Sequence, residues 1–202
     1  MKSFLVVSTL SAVVLLWASQ TVFAQFAVGP KAGWSLSYVS NLDTTIRLNL
    51  GFSAGAQLDF IIKEWLSVQQ DILFSQKGSQ IHKGNQFKWE NFYYVETTVL
   101  PKFVWSRENL SPFVSTGPYI GFLMLARFTQ GDSRSREEGE IKLREDTRSM
   151  DYGWNFACGI HYKPIRIELR YGLGLRNYER YGSRWHTNRT VTVSLGYLFD
   201  FD

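Results

Sequence analysis

The sequence predicts an all-β chain: an eight-stranded antiparallel transmembrane β-barrel preceded by a cleaved signal peptide. Three observations carry this expectation. The first is the stretch 165–178, Ile-Arg-Ile-Glu-Leu-Arg-Tyr-Gly-Leu-Gly-Leu-Arg-Asn-Tyr, which alternates apolar and polar residues almost without error. Strict period two marks a strand with two chemically different faces. Strands of soluble sandwiches typically run about five or six residues, whereas about ten tilted residues cross a bilayer. The second is that seven further segments alternate in the same way, separated in turn by short connections and long polar loops. The third is the N-terminus, where Lys2, an apolar run over 4–17 and Val22-Phe23-Ala24 precede Gln25. This is the pattern of a secretory signal cleaved after Ala24, too short for the roughly 18 to 20 residues of a helical span. Residues 1–24 are therefore expected to be the signal and 25–202 a single barrel domain.

Taken in order, the first segment covers 26–39 and sets Phe26, Val28, Ala32, Trp34, Leu36 and Tyr38 against Gly29, Lys31, Gly33, Ser35 and Ser37. The second, 48–62, is apolar at even positions through Leu58 and Phe60, and its other face reads Asn49, Gly51, Ser53, Gly55, Gln57, Asp59. A Lys63-Glu64 turn leads to the third, 66–77, where Gln70 and Leu73 break the alternation. A polar loop, 78–91, precedes the fourth segment, 92–105, with Tyr93, Val95, Val99, Phe103 and Trp105 opposed to Tyr94, Glu96, Thr98 and Lys102. The fifth, 113–128, sets Val114, Ile120, Phe122 and Met124 against Ser115, Gly117, Tyr119 and Gly121. The charged stretch 129–149 is expected to be a solvated loop. The sixth segment, 150–162, opposes Tyr152, Trp154, Phe156, Cys158 and Ile160 to Asp151, Gly153, Asn155, Gly159 and His161. Lys163-Pro164 then turns into 165–178, and a loop over 179–188 leads to the last segment, 189–201.

Eight amphipathic strands fit either a soluble lipocalin-like periplasmic barrel, apolar inside, or a membrane barrel, apolar outside. The glycines favour the second. Gly29, Gly33, Gly51, Gly55, Gly117, Gly121, Gly153, Gly159, Gly172, Gly174 and Gly196 all share the polar face, and an eight-stranded barrel has little room inside. Aromatic residues gather toward the strand ends, Trp34, Tyr38, Tyr93, Phe128, Tyr152 and Trp154 at the long loops and Phe60, Trp65, Phe103, Trp105, Tyr162 and Phe199 at the short turns. Such groupings are expected of interfacial girdles. Pro30, Pro101 and Pro118 fall within strands and predict bulges or ladder breaks.

In order and spacing, Gly29-Pro30-Lys31-Ala32-Gly33, the run Gln69-Gln70-Asp71-Ile72-Leu73-Phe74-Ser75-Gln76-Lys77-Gly78, Tyr94-Val95-Glu96 through Leu100-Pro101-Lys102-Phe103, Ser115-Thr116-Gly117-Pro118-Tyr119-Ile120-Gly121 and Leu169-Arg170-Tyr171-Gly172-Leu173-Gly174-Leu175 together resemble the PorT-type outer-membrane β-barrel family of Gram-negative bacteria. The resemblance implies an eight-stranded barrel in the outer membrane, and its namesake branch works in protein secretion across that membrane.

Little in the chain suggests chemistry. The single cysteine, Cys158, excludes a disulfide framework or a cysteine-based zinc cluster. His82, His161 and His186 match no metal spacing, and Gly172-Leu173-Gly174 lacks the third glycine of a dinucleotide motif. No cofactor is expected. The formal net charge of +4 is spread among interspersed acids and bases, which points away from a nucleic-acid partner. The leading expectation is a non-enzymatic scaffold or interaction protein of the envelope, with protein secretion as its narrower form and envelope or secretion-machinery proteins as partners. The alternative is a lipid-modifying enzyme built on rim residues such as Ser183 and His186 with Asp43 or Asp132. Two sets of residues stand out. Arg176, Arg180, Arg184 and Arg189 cluster at a long-loop end, where guanidinium forks would meet the phosphates of outer-membrane lipids and lipopolysaccharide. Inside the barrel, counting from the short turns, Asp59, Lys102 and Glu168 fall on one level and Lys31, Asp71 and Arg170 on the next, so a layered ion network is expected, with Asp71 opposite Arg170.

Overall fold

The computed structural model describes residues 25–39, 46–83, 86–105, 110–131, 136–140, 149–176 and 187–201. The strands are β1 (Gln25–Val39), β2 (Ile46–Arg47), β3 (Asn49–Lys63), β4 (Leu66–Lys83), β5 (Gln86–Val104), β6 (Ser111–Gly131), β7 (Arg136–Glu140), β8 (Met150–Tyr162), β9 (Ile165–Gly174), β10 (Asn188–Tyr197) and β11 (Phe199–Phe201). Eight of them form an antiparallel circuit, β1–β3–β4–β5–β6–β8–β9–β10, and β10 pairs back onto β1 to close it. β11 continues the line of β10 along the start of β1. Closure leaves the barrel wall no free edge, which strands crossing hydrocarbon require.

The alternation decides which face is out. Along β9 the exposure pattern runs exposed, buried, exposed, buried from Ile165 to Arg170, with Ile167 55% and Leu169 48% exposed while Arg166 and Glu168 are each 1% exposed. The same inversion holds on β10, where Val191, Val193 and Leu195 point outward, and on β8, where Tyr152, Trp154 and Phe156 do. A soluble barrel of the lipocalin kind would bury these side chains; here they coat the exterior and the charges are enclosed. Only a hydrocarbon surrounding makes this stable, because the exposed apolar surface has nothing to gain from water. Gln70 and Leu73 do sit on the faces their positions dictate, Gln70 outside and Leu73 buried at 7% exposure. The aromatic ends are tied together: Trp65 stacks on Phe103 with centroids 6.1 Å apart, Phe74 on Tyr93 at 5.9 Å, and Tyr197 meets Phe199 at 4.9 Å. Side chains of Tyr38 and Phe128 lie outside the described residues.

Two ladder breaks fall at prolines. β1 keeps its pairing with β3 at Gly29 and Pro30 but is unpaired there on its other side, opposite Tyr197 and Leu198, where β10 gives way to β11. Between β5 and β6 the pairing lapses from Thr98↔Tyr119 to Lys102↔Ser115, a gap that contains both Pro101 and Pro118. A proline has no N–H to give the ladder, so the two prolines, one on each strand at opposite ends of the gap, share one interruption. A separate bulge at Met124 shifts the register from Tyr94↔Leu123 to Tyr93↔Leu125, so that Ala126 turns inward after Leu123, which already has the inward parity.

Three strands, β4, β5 and β6, are longer than the sequence pattern predicts, whereas β9 ends at Gly174, short of the alternation that runs on to 178. The expected loop 78–91 is instead a continued hairpin, paired from Gly78↔Asn91 to Lys83↔Gln86. The charged stretch after the fifth segment likewise holds β7, paired with β6 through Gly131↔Arg136, and β2 pairs with β4. Above the membrane both faces of a strand meet water, so backbone pairing persists with no alternation to announce it.

The mature barrel is expected to fractionate with outer membranes and to migrate faster on a gel unboiled than boiled. Recovery as a soluble periplasmic protein without detergent would overturn this.

An ion network in the barrel lumen as candidate functional site

Polar side chains on the inward face of each strand converge on a narrow axis and stack in three tiers. The tier nearest the short turns is built on Asp59 of β3, whose carboxylate accepts from Lys102 of β5 and from Arg166 of β9. Arg166 also donates to Gln57 Oε1 at 3.4 Å and Gln69 Oε1 at 3.2 Å. Both cations pack on the Phe113 ring, Lys102 Nζ at 5.4 Å and the Arg166 guanidinium at 5.5 Å from its centroid. A cation over an aromatic face gains from the ring quadrupole, more so away from water.

The middle tier is a four-membered ring of charge. Lys31 Nζ donates to Asp71 at 3.1 Å and to Glu168 at 2.8 Å. Arg170 lies across from Lys31, bonded to Asp71 through Nη2 and to Glu168 through Nε at 2.8 Å. Gln69 joins the tiers, since its Oε1 accepts from Arg166 while its Nε2 donates to both Asp71 oxygens at 3.1 Å and to Glu168 Oε2 at 3.0 Å. Glu168 thus belongs with Lys31, Asp71 and Arg170, not with Asp59 and Lys102 as counting from the turns places it. Strand tilt and stagger lift it: Glu168 pairs with Ser194, which pairs with Gly33, two residues beyond Lys31.

The upper tier holds Lys77, paired with Glu96 and, at 3.3 Å, with Asp151. Asp151 also accepts from the Tyr119 hydroxyl and Asn188 Nδ2, each at 3.2 Å. Lys77 Nζ sits 4.4 Å from the Tyr119 centroid and 5.5 Å from that of Tyr94. Above it Phe92, Tyr94, Leu123 and Ala126 form an apolar cap. Between the middle and upper tiers a cavity of about 40 Å³ is lined by Lys31, Ser75, Lys77, Glu96 and Arg170 among others, space for about two or three water molecules.

Two properties follow. The three tiers contain five cations, Lys31, Lys77, Lys102, Arg166 and Arg170, and five carboxylates, Asp59, Asp71, Glu96, Asp151 and Glu168. Formal charge inside the barrel therefore cancels, as burial in low dielectric demands. Gln69 and Asp71 have no exposed surface, so no water column runs past them.

The structure brings together Lys31, Asp59, Asp71, Lys102, Glu168 and Arg170 and adds residues that counting overlooked: Gln57, Gln69 and Arg166 below, and Lys77, Glu96, Tyr119 and Asp151 above. All seven carry the inward parity, which was the available signal. At the rim, the Arg176 guanidinium lies 5.6 Å from the Tyr152 centroid, and Arg189 Nη1 donates to the Tyr171 hydroxyl at 3.5 Å. Arg180 and Arg184 lie outside the described residues, as do Asp43, Asp132, Ser183 and His186. The His82 side chain is likewise outside them, and His161 is half-buried at the short-turn end. Among the described residues no three His, Cys, Asp or Glu side chains group to hold a metal ion.

Several solved structures align with most of this chain. The attachment invasion locus protein Ail of Yersinia pestis aligns at TM-score 0.47 and 15% identity, covering 86% of this chain and 98% of Ail. OprG from Pseudomonas aeruginosa, an outer membrane protein, aligns at 0.48 and 11%, covering 87% and 96%. The outer membrane enzyme PagL aligns at 0.43 and 14%, covering 84% and 98%. Comparison with curated protein sequences gave no match. The sequence model of the outer membrane protein beta-barrel domain matches residues 18–179, most of the chain, including seven of the eight walls of the circuit, all but β10. With the closed circuit and the inverted burial, that match identifies the chain as a member of the outer membrane protein beta-barrel domain family, resident in the outer membrane of a Gram-negative bacterium.

Proposed function

We propose that the protein is a closed, non-enzymatic barrel that anchors an interaction surface in the outer membrane and serves other envelope proteins as a scaffold. The observation that supports this reading is the filled lumen. Charge-balanced tiers stand across the axis, and Gln69 and Asp71 are wholly buried within them, so the interior offers no route for a solute. Eight-stranded barrels fill with side chains where far wider ones leave channels. What the barrel can offer a partner is then the sheet that β2, β4, β5, β6 and β7 carry beyond the membrane. The resemblance to the PorT-type family makes a protein of the secretion machinery the narrower expectation for that partner.

Affinity purification after gentle detergent extraction tests the scaffold role: a stoichiometric envelope protein is expected to accompany the barrel. No partner, together with a mass change in lipopolysaccharide that depends on the protein, would replace this reading with the lipid-modifying enzyme. In planar bilayers the wild-type barrel is expected to give no stepwise conductance. Steady open-channel steps would show that the tiers do not seal the lumen.

A further inference from the structure

The outward face of β8, β9 and β10 carries a second polar arrangement that the lumen does not explain. Register places Trp154, Leu173 and Arg189 in one cross-strand row, Phe156, Tyr171 and Val191 in the row toward the short turns, and Tyr162, Ile165 and Tyr197 in the last row of the face. Tyr162 and Tyr152 mark the two ends of the outward face of β8. The ten residue steps from one to the other, at about 3.3 Å each and tilted by about 40°, span about 25 Å along the membrane normal, the height of the apolar band of an outer-membrane barrel.

Both described rim arginines lie at the upper edge of that band, on the long-hairpin side, which faces outward from the cell. Neither is a loose surface side chain. Arg176 is seated on the Tyr152 ring, and Leu175 N–H donates to the Tyr152 carbonyl at 2.9 Å, which fixes the chain beside it. Arg189 is turned along the wall by its bond to the Tyr171 hydroxyl. Trp154, 40% exposed, is itself oriented by an Nε1 bond of 2.7 Å to Thr116 Oγ1. One guanidinium is thus held over a lipid-facing ring and a second is bonded to a tyrosine hydroxyl of the same face, one just past the end of β9 and one at the start of β10. Aromatic rings set the depth at which a polar headgroup begins, and planar guanidinium forks match phosphate oxygens two at a time.

We infer that Arg176 and Arg189 form a binding site for a phosphorylated glycolipid of the outer leaflet, the lipid A part of lipopolysaccharide, with Tyr152, Tyr171 and Trp154 against the sugar and the upper acyl segments. This inference depends on the membrane placement of the barrel and not on the scaffold role. Purified full-length barrel in detergent would be titrated with diphosphorylated lipid A, with dephosphorylated lipid A and with phosphatidylglycerol, and bound lipid counted by native mass spectrometry. Wild-type protein is expected to retain the diphosphorylated form about tenfold more tightly than either of the others. The double variant R176Q/R189Q, still migrating as a closed barrel unboiled, is expected to lose that preference. Equal retention of dephosphorylated lipid A, equal retention of phosphatidylglycerol, or an unchanged preference in the folded double variant would each overturn the assignment.

Discussion

Replacing Arg170 by alanine is expected to destabilise the barrel by about 3 to 5 kcal/mol, the range seen when one member of a buried ion pair is removed and its partner is left behind. Arg170 supplies one of two cations to the middle tier, and without it Asp71 and Glu168 share Lys31 alone. Asp71→Ala is expected to cost a similar amount for the opposite reason, because Lys31 and Arg170 are left with only Glu168. The two changes together should cost clearly less than their sum. In the double variant Lys31 and Glu168 remain as a complete pair at 2.8 Å, so the tier is again neutral. A coupling of about 2 kcal/mol or more in a double-mutant cycle, from denaturant unfolding in micelles or vesicles, is the expected result. Additive effects would mean that Arg170 is satisfied by water or by backbone carbonyls and needs no dedicated acid.

The second large effect is expected at Gly29, where the barrel closes. A Cβ built there would lie 1.7 Å from the Tyr197 carbonyl oxygen and 2.8 Å from its carbon. Both are backbone atoms of the closing strand, which cannot turn aside as a side chain would. Gly29→Ala is therefore expected to cost more than the about 1 to 3 kcal/mol of ordinary overpacking and to abolish the fast-migrating unboiled band. Gly121 is the control: its added Cβ would meet first the Glu96 side chain at 3.2 and 3.3 Å, which can yield, so Gly121→Ala is expected to leave the band in place. If both variants close equally well, steric approach at the seam is not what demands glycine.

Those two glycines also show what the alternation can and cannot convey. Parity assigns Gly29, Arg166 and Glu168 to the inside because one face of every strand is polar, and in hydrocarbon that contrast is strong. It does not say what each meets. Glycine is expected inside because the lumen is narrow, yet the atoms that exclude a Cβ at Gly55, Gly117 and Gly153 are carbonyl oxygens of the adjacent strand, each 2.1 Å away. The constraint is the close approach of coiled neighbouring strands rather than the far wall. Height is equally hidden, because it depends on how strands are staggered around the circuit; hence Glu168 bonds one tier above its count and Arg166 takes the place beside Asp59. Ala126 was illegible for another reason, since one extra residue at Met124 reverses parity partway along β6. Beyond the bilayer, as in the pairing of Ser79 with Glu90, the sequence carries no contrast to follow.

The middle tier also bears on how the protein reaches its membrane. Its four charges come from the first, the third and the penultimate walls of the barrel: Lys31 lies 40 residues from Asp71 and 137 from Glu168. Lys31 can meet Glu168 only when β10 has docked on β1, which is the last step of circularisation. Until then an unclosed sheet exposes unmatched charge to lipid, a state several kcal/mol per group less favourable than the finished one. Matched charge in the middle tier thus favours insertion coupled to closure over a half-assembled sheet standing in the bilayer.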